Sequence, residues 1–229
     1  MTQTPLSVLM LGATGAVGSH VARTLAVMPD VEEMTLLGRR SLEGLPSDKA
    51  TQSVIDIFDP ASYDSALTGH QAAICTLGVG QPSKIGKDDF VRIDKMAVLA
   101  FAASCKKAGV SHFQLLGSVG ADRDSRSFYL RIKGELEDGL RDLNFERLSL
   151  FRPSMILTPT NRYGLSQALT LAIWPRLRPF LAGGLRKYRG IAVDRLGKAM
   201  ALNLRGTGNG VEILHWAAID ALARKAVQP

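Results

Sequence analysis

The fold is decided by residues 7–18, which read SVLMLGATGAVG. The first five residues predict a β-strand, and three glycines, each separated by two residues, predict a tight turn that opens a helix. A second apolar run, residues 34–37, follows this helical stretch and ends in Gly38, Arg39 and Arg40. A strand, a glycine-rich turn, a helix and a second strand are the typical start of a dinucleotide-binding fold.

The turn and the two arginines predict which dinucleotide binds. Glycines let the backbone approach a pyrophosphate closely, and the N–H groups at a helix N-terminus attract its charge. Sites for NAD usually carry an acidic residue at the end of the second strand, whereas guanidinium groups suit a 2′-phosphate. The sequence therefore predicts NADPH or NADP+ as the cofactor. The alternative for Arg39 and Arg40 is a solvated basic loop.

The composition is that of a globular protein of one α/β domain. The chain has 229 residues, of which 46% are hydrophobic and 21% charged, with a net charge of +7. Because the basic residues are scattered and aromatic residues make up only 6%, we expect no nucleic-acid partner. Cys75 and Cys105 have no metal-type spacing, and no metal site is expected. No apolar run is long enough to span a membrane, so we expect a cytoplasmic protein.

Apolar runs alternate with helical patterns up to about residue 157, which predicts a doubly wound parallel sheet in a single domain over residues 1–229. The rhythm breaks at residues 158–190, which we interpret as a small substrate-side insertion. Ligands of such sheets bind beyond the carboxyl ends of the strands. The residues expected at those ends are Gly12 to Gly18, Arg39, Arg40, Asp56, Leu77, Gly78, Ser118, Pro153 and Ser154.

Tyr129 and Lys133 are four residues apart on a predicted helix, so they share one face. A lysine ammonium close to a phenol favours the phenolate and makes the tyrosine useful for acid–base chemistry. Ser118, at the end of the fifth strand, is the expected third member, with a hydroxyl that can donate to a substrate carbonyl. The alternatives are a packed tyrosine beside a solvated lysine, and a turn serine.

These stretches together resemble the atypical short-chain dehydrogenase/reductase superfamily, and within it the Tat-interacting-protein-like oxidoreductase group. The resemblance covers residues 8 to about 160. The stretches that carry it are 12–18 GATGAVG, 37–40 LGRR, 75–78 CTLG, 90–94 FVRID, 115–122 LLGSVGAD, 128–135 FYLRIKGE and 151–153 FRP.

The resemblance implies that NADPH binds to a set of residues along the chain and that Tyr129 and Lys133 form the acid–base and ribose pair. The implied cofactor residues are Thr14, Gly15, Ala16, Val17, Arg39, Arg40, Leu77, Gly78, Ile156 and Arg162. Members of the group often carry serine at the position of Gly117. The hydroxyl role is therefore open between Ser118 and no serine at all.

The leading hypothesis is an NADPH-dependent reductase, in which Tyr129 gives a proton to a carbonyl group of an apolar small molecule. The apolar residues of 158–190 would line its pocket, or else form core or a dimer contact. A second hypothesis is an NADP(H)-sensing regulatory or scaffold protein with a protein partner. A third is a peripheral membrane protein that uses residues 168–189, although prolines interrupt that segment.

Overall fold

The computed structural model describes residues 5–45, 48–158 and 181–227. The strands are β1 Leu6–Leu11, β2 Val31–Gly38, β3 Ala50–Val54, β4 Ala72–Cys75, β5 His112–Leu116, β6 Arg147–Phe151, β7 Ile156–Leu157, β8 Ile191–Ala192 and β9 Gly210–Leu214. The helices are α1 Ala16–Ala26, α2 Lys87–Val91, α3 Val98–Lys107, α4 Phe128–Asp142, α5 Val193–Asn203 and α6 Trp216–Arg224.

Seven strands form one sheet in the order β3-β2-β1-β4-β5-β6-β9. Every neighbouring pair in it is parallel. The order reverses direction between β1 and β4, so the carboxyl end of β1 lies at the point where a doubly wound sheet binds its ligand. The predicted Rossmann-type α/β fold is confirmed.

The two faces of the sheet pack into two apolar clusters. Val8 and Met10 of β1 belong to the cluster that contains buried residues of α1, α5 and α6. Leu9 and Leu11 alternate with them and belong to the cluster formed with α3 and α4. Side chains that alternate along a strand point to opposite faces, so both faces of the sheet are covered by helices.

Asp59 followed by Pro60 predicts the start of a short helix that runs to Leu67. The chain forms two short 3₁₀ turns there instead, Pro60–Ser62 and Asp64–Ala66. The Asp59 carboxylate accepts a hydrogen bond from the Ala61 N–H at 3.0 Å and caps the first turn. Tyr63 has φ −137°, which ends that turn before an α-helix can propagate. The two-residue pair β7–β8 was not predicted, because elements this short have no periodicity.

A π-helical segment, Arg92–Ala97, joins α2 to α3. The helical spacing of Phe90, Ile93, Ala97 and Phe101 predicts one apolar face. Asp94 lies four residues after Phe90 and three before Ala97, so it shares this face with them. Asp94 is 1% exposed, whereas Ile93 is only half-buried.

The predicted single domain and its insertion at 158–190 stay predictions, because residues 159–180 lie outside the described part of the chain. The same holds for most of the segment 168–189 that the membrane hypothesis invokes. Within the described ranges, no helix is long and apolar enough to cross a membrane.

A polar cluster joins β5, β6 and β9, and three of its members, His112, Arg147 and Ser149, are buried. The Nε2 of His112 lies 2.7 Å from the hydroxyl of Ser149, and that hydroxyl also binds Glu212. Arg147 binds the Glu212 carboxylate at 2.7 Å. Burial, with a smaller contribution from the positive charge of Arg147, lowers the pKa of His112 to about 3.

This depressed pKa predicts how acid destabilises the fold. Between pH 6.5 and about 3, an unfolded chain takes up a proton on His112 that the folded chain does not. Its contribution to stability is thus present above pH 6.5 and is lost as the pH falls. We expect His112→Gln to reduce the pH slope of the unfolding free energy by about 1.4 kcal/mol per pH unit.

Urea unfolding of both proteins at several pH values between 6.5 and 4.5 measures these slopes. The comparison of slopes is independent of any constant stability difference caused by the substitution itself. Equal slopes would contradict a neutral His112 in the folded protein.

Candidate functional site

A cavity of about 660 Å³ opens at the carboxyl ends of the central strands. Its walls come from the turn after β1, the end of β2, the loop after β4, the end of β5, helix α4 and residues 154–158 after β6. These elements are distant in sequence, and the parallel sheet brings them together at one edge.

The glycine-rich turn places the start of α1 directly against the end of β1. Gly12 has φ +95°, a conformation that favours glycine, and its carbonyl accepts the N–H of Gly15 at 3.1 Å. A Cβ atom at Gly18 would lie 2.2 Å from the Gly12 oxygen, so no side chain fits there. Thr14, Gly15, Ala16 and Val17 line the cavity as a result.

Three cations line the cavity with one carboxylate among the described residues. Arg39 and Arg40 are exposed and lie just beyond β2, and Lys133 is buried on α4. The carboxylate is that of Asp94. This excess of positive charge favours an anionic ligand.

Helix α4 carries Tyr129 and Lys133 into the same cavity. The Nζ of Lys133 lies 6.0 Å from the centre of the Tyr129 ring. The Phe90 ring packs on the tyrosine with ring centres 5.6 Å apart. The predicted pair thus shares one helix face and one cavity, and Phe90 restricts the position of the phenol ring.

Asp94 is a site residue that the sequence reasoning missed. Its carboxylate accepts a hydrogen bond from the Lys133 ammonium at 2.7 Å, and the two side chains are 2% and 6% exposed. Its other oxygen accepts the backbone N–H of Val79 at 2.8 Å. One signal was available: an acidic residue in the middle of an otherwise apolar helix face needs a buried partner.

The position of α4 depends on a second glycine contact. A Cβ atom at Gly134 would lie 2.2 Å from the backbone N of Arg123, so the helix packs directly on the loop before it. One turn further, the buried Glu137 carboxylate pairs with the Arg152 guanidinium, with Nε to Oε1 at 3.0 Å. These contacts hold α4 against β6 and thereby hold Tyr129 and Lys133 at the cavity.

Most of the residues predicted for the site line this cavity. They are Gly12, Thr14, Gly15, Ala16, Val17, Arg39, Arg40, Leu77, Gly78, Tyr129, Lys133 and Ile156. Arg162 lies outside the described residues. Gly18, Asp56, Ser118 and Pro153 are described, but they are not among the lining residues.

Three of the residues that do not line the cavity, Asp56, Ser118 and Pro153, make local contacts instead. The Asp56 carboxylate caps the following turn by accepting the Phe58 N–H at 2.9 Å. The Ser118 hydroxyl lies 3.4 Å from the Val119 carbonyl. The Pro153 carbonyl accepts the Val119 N–H at 2.9 Å and so joins the ends of β5 and β6.

Sequence reasoning missed further lining residues. Besides Asp94 they are Leu11, Gly38, Ile57, Thr76, Val79, Gly80, Pro82, Leu116, Gly117, Met155 and Thr158, whereas Ser154, which was expected at this edge of the sheet, lines the cavity. At Gly117 a Cβ atom would lie 3.1 Å from a Glu137 oxygen and 3.3 Å from the Phe151 carbonyl. The Cβ atom of a serine at position 117 would therefore be in contact with the Glu137 carboxylate.

A sequence profile described as "NAD(P)H-binding" matches residues 12–146, which contain the glycine turn, both arginines, Asp94 and the Tyr129–Lys133 pair. The chain belongs to this NAD(P)H-binding family. The predicted relation to the atypical short-chain dehydrogenase/reductase superfamily is confirmed by this match together with the relatives below.

Members of the family align over different lengths of the chain. Protein HTATIP2 of Rattus norvegicus is 34% identical over 226 residues, which cover 97% of this chain and 91% of that protein. The protein named "fmp52, mitochondrial" of Emericella nidulans is 32% identical over 155 residues, 66% of each chain.

A solved structure shares the NAD(P)H-binding fold at low sequence identity. MoeE5 in complex with UDP-glucuronic acid and NAD superposes with a TM-score of 0.71 at 18% identity. The match covers 91% of this chain and 75% of MoeE5. At this identity the likeness establishes the fold.

Two glycine substitutions are expected to separate cofactor binding from folding at the glycine-rich turn. A Cβ at Gly15 would have one neighbour within 4 Å, the Gly12 oxygen at 3.3 Å, and Gly15 is an exposed residue of the cavity wall. We expect Gly15→Val to fold with a loss of about 1 kcal/mol, typical of a poor N-cap, and to lose NADPH binding. Gly18→Ala should instead destabilise the fold, because its Cβ overlaps the Gly12 carbonyl.

Thermal unfolding and titration with NADPH measure the two effects. A stable Gly18→Ala protein, or a folded Gly15→Val protein with undiminished NADPH affinity, would contradict the roles given to these positions.

Proposed function

We propose that this chain is an NADPH-dependent oxidoreductase of the carbonyl-reductase or alcohol-dehydrogenase type, acting on an apolar small molecule. One observation supports it above the others. Tyr129 and Lys133 line the same cavity as the glycine turn and the two arginines. A proton donor and a phosphate-binding edge in one cavity are what such a reaction needs.

The glycine turn fits the phosphates of a dinucleotide. No side chain fits at Gly18, and Gly15 presents bare backbone at the start of α1, where free N–H groups attract anions. Arg39 and Arg40 would hold the 2′-phosphate. The one described lining carboxylate, Asp94, already pairs with Lys133 and lies on a different wall from β2.

The chemistry divides between the cofactor and the chain. When bound, NADPH supplies a hydride. The Tyr129 hydroxyl donates its proton to the carbonyl oxygen of the substrate. Lys133 donates one hydrogen bond to Asp94, and its remaining N–H groups are proposed to bind ribose hydroxyls. Leu116, Met155 and Ile156 give the cavity apolar wall, which supports an apolar substrate.

A second hydroxyl group that donates to the substrate carbonyl could come from the segment after β5 or from the segment after β6. Ser118 lies two residues beyond the end of β5, next to Gly117, and it is not among the described lining residues. Ser154 and Thr158 do line the cavity, on the segment that follows β6. Ser118 stays a prediction for this role.

The two arginines predict a preference between cofactors. We expect NADPH to bind at least about tenfold more tightly than NADH, a difference of about 1.4 kcal/mol. In Arg39→Ala/Arg40→Ala the preference should disappear, because the 2′-phosphate loses both guanidinium partners. Calorimetric titration of both proteins with both cofactors measures this.

Arg23→Ala is the matched control, since this guanidinium binds the carbonyls of Glu43 and Gly44 and is not among the lining residues. The control should keep the preference. Equal affinities of the unchanged protein for NADPH and NADH would refute NADP(H) as the cofactor.

The proposed role of the Tyr129 hydroxyl predicts that its removal reduces turnover without reducing NADPH binding. Tyr129→Phe keeps the ring on Phe90 and removes the hydroxyl. We expect turnover of a carbonyl substrate, found by screening a panel for NADPH oxidation, to fall by about 10²-fold or more. NADPH affinity should change little, because the cofactor is held by other groups.

Unchanged turnover in Tyr129→Phe would refute the mechanism. If no carbonyl compound reacts while NADPH changes the affinity for a protein partner, the regulatory hypothesis replaces the enzyme. The cytoplasm is the proposed location, and the name of the fmp52 relative makes the mitochondrion the alternative to test by imaging the full chain.

A further inference from the structure

We propose that Ser154, on the segment after β6, is a second catalytic hydroxyl, which donates a hydrogen bond to the carbonyl oxygen of the apolar substrate. The inference rests on the proposed function, in which Tyr129 gives its proton to that oxygen. Both residues line the cavity. Because the carbonyl oxygen gains negative charge as hydride reaches the carbon, a donor that is already in place lowers the barrier.

The segment after β5 presents backbone to the cavity. Gly117 lines the cavity and has no side chain. Ser118 is not among the described lining residues, and its hydroxyl lies 3.4 Å from the Val119 carbonyl. The hydroxyl that a carbonyl substrate meets beside Tyr129 therefore has to come from another wall.

The hydroxyl groups on the other walls differ in how far they are already used. The described lining residues that carry one are Thr14, Thr76, Tyr129, Ser154 and Thr158. The Thr76 hydroxyl donates to the Gly12 carbonyl at 3.0 Å. Thr14 belongs to the glycine-rich turn, which holds phosphates in the proposed function. Besides Tyr129 itself, Ser154 and Thr158 remain for the substrate.

The backbone is fixed on both sides of Ser154. The Pro153 carbonyl accepts the Val119 N–H at 2.9 Å, which joins the preceding residue to the segment after β5. The Met155 carbonyl accepts the Ile191 N–H at 2.9 Å, which joins the following residue to β8. Ser154 thus lies between two anchored neighbours, which suits a donor that must be in place before the reaction.

Thr158 is the weaker candidate because of its position along the chain. It follows β7, whereas Ser154 directly follows the Pro153 that binds the segment after β5. Ser154 is therefore the hydroxyl nearer to the ends of the two central strands, where the ligand of a doubly wound sheet binds.

The Ser154 hydroxyl is available to a ligand. The residue is half-buried, and within the described part of the chain its hydroxyl makes no hydrogen bond. A hydroxyl without a protein partner adds little to the stability of the fold, so its removal is expected to leave folding unchanged. A serine hydroxyl has one O–H donor. In this proposal Ser154 keeps that proton, and Tyr129 supplies the one that is transferred.

Ser154→Ala tests the proposal with phenanthrenequinone, an apolar ring system that carries two carbonyl groups, as the substrate probe. We expect turnover, measured as NADPH oxidation at saturating quinone, to fall by about 10²-fold, the usual effect of removing one donor to a developing oxyanion. NADPH affinity, measured by calorimetric titration, and the thermal unfolding midpoint should stay the same, because the hydroxyl contacts neither the cofactor nor the rest of the fold in this proposal.

A binding measurement tests the same hydrogen bond without turnover. In the complex with NADP+ the quinone binds but cannot be reduced, since the oxidised cofactor has no hydride to give. Ser154→Ala should weaken quinone binding in this complex by about fivefold, the effect of one lost neutral hydrogen bond. Binding of phenanthrene, which has the same rings and no carbonyl group, should not weaken.

The matched control is Ser104→Ala, which removes the hydroxyl of a half-buried serine on α3 that is not among the described lining residues. It should leave turnover and both affinities unchanged. Ser118→Ala is measured beside it, because a loss of turnover there, with none in Ser154→Ala, would assign the role to the segment after β5.

Three outcomes would overturn the inference: unchanged turnover in Ser154→Ala, an equal loss of affinity for quinone and phenanthrene, or a loss of NADPH affinity with unchanged quinone affinity. The last outcome would assign the hydroxyl to the cofactor. Failure of the unchanged protein to reduce the quinone, in contrast, overturns the proposed substrate class and this inference with it. Reduction of the quinone by the unchanged protein together with any of the three outcomes leaves the proposed function standing.

Discussion

The geometry of the whole site depends on how closely the end of β1 and the start of α1 approach each other. The Gly12 carbonyl occupies the space that a side chain at Gly18 would need. The helix can therefore begin within one turn of the strand, at the centre of the sheet. Since β1 lies between β2 and β4, the arginines after β2 and the loop after β4 flank this turn on either side. The contact between the end of β1 and the start of α1 thus determines the positions of three cavity walls: the turn itself, the residues after β2 and the loop after β4.

Elements with clear chemical boundaries could be predicted closely from the sequence. The apolar run of residues 112–116, between Gly109 and Gly117, coincides with strand β5. The run of residues 147–151, which Arg152 and Pro153 follow, coincides with strand β6. The helix before β5 shows what periodicity leaves open. Ile93 and Asp94 lie three and four residues after Phe90, so both are compatible with the helix face of Phe90. Helical spacing alone does not identify the buried partner of Asp94, because that partner lies on α4.

The same distinction between local and tertiary information applies to the site. The glycine turn, the arginine pair and the Tyr129–Lys133 spacing are local motifs, and each can be located from the order of residues alone. Asp94 acquires its partner through the packing of two helices that lie 39 residues apart in sequence at this contact. Asp56, Ser118 and Pro153 show a different limit. The end of a strand can be predicted within a few residues, but neighbouring side chains point to opposite sides there, so a residue at the right edge can still face away.

The charges that line the cavity bear on how a ligand binds to and leaves the protein. The buried cation, Lys133, has its counter-charge built into the protein, while Arg39 and Arg40 remain in contact with water. Among the described lining residues, the buried charged side chains are Lys133 and Asp94, and these two neutralise each other. The described lining residues therefore give no electrostatic reason for folding to depend on a dinucleotide, and ligand binding would add stability by mass action. A site organised in this way suits an exchangeable cosubstrate that enters and leaves in each cycle, rather than a prosthetic group retained from synthesis onward.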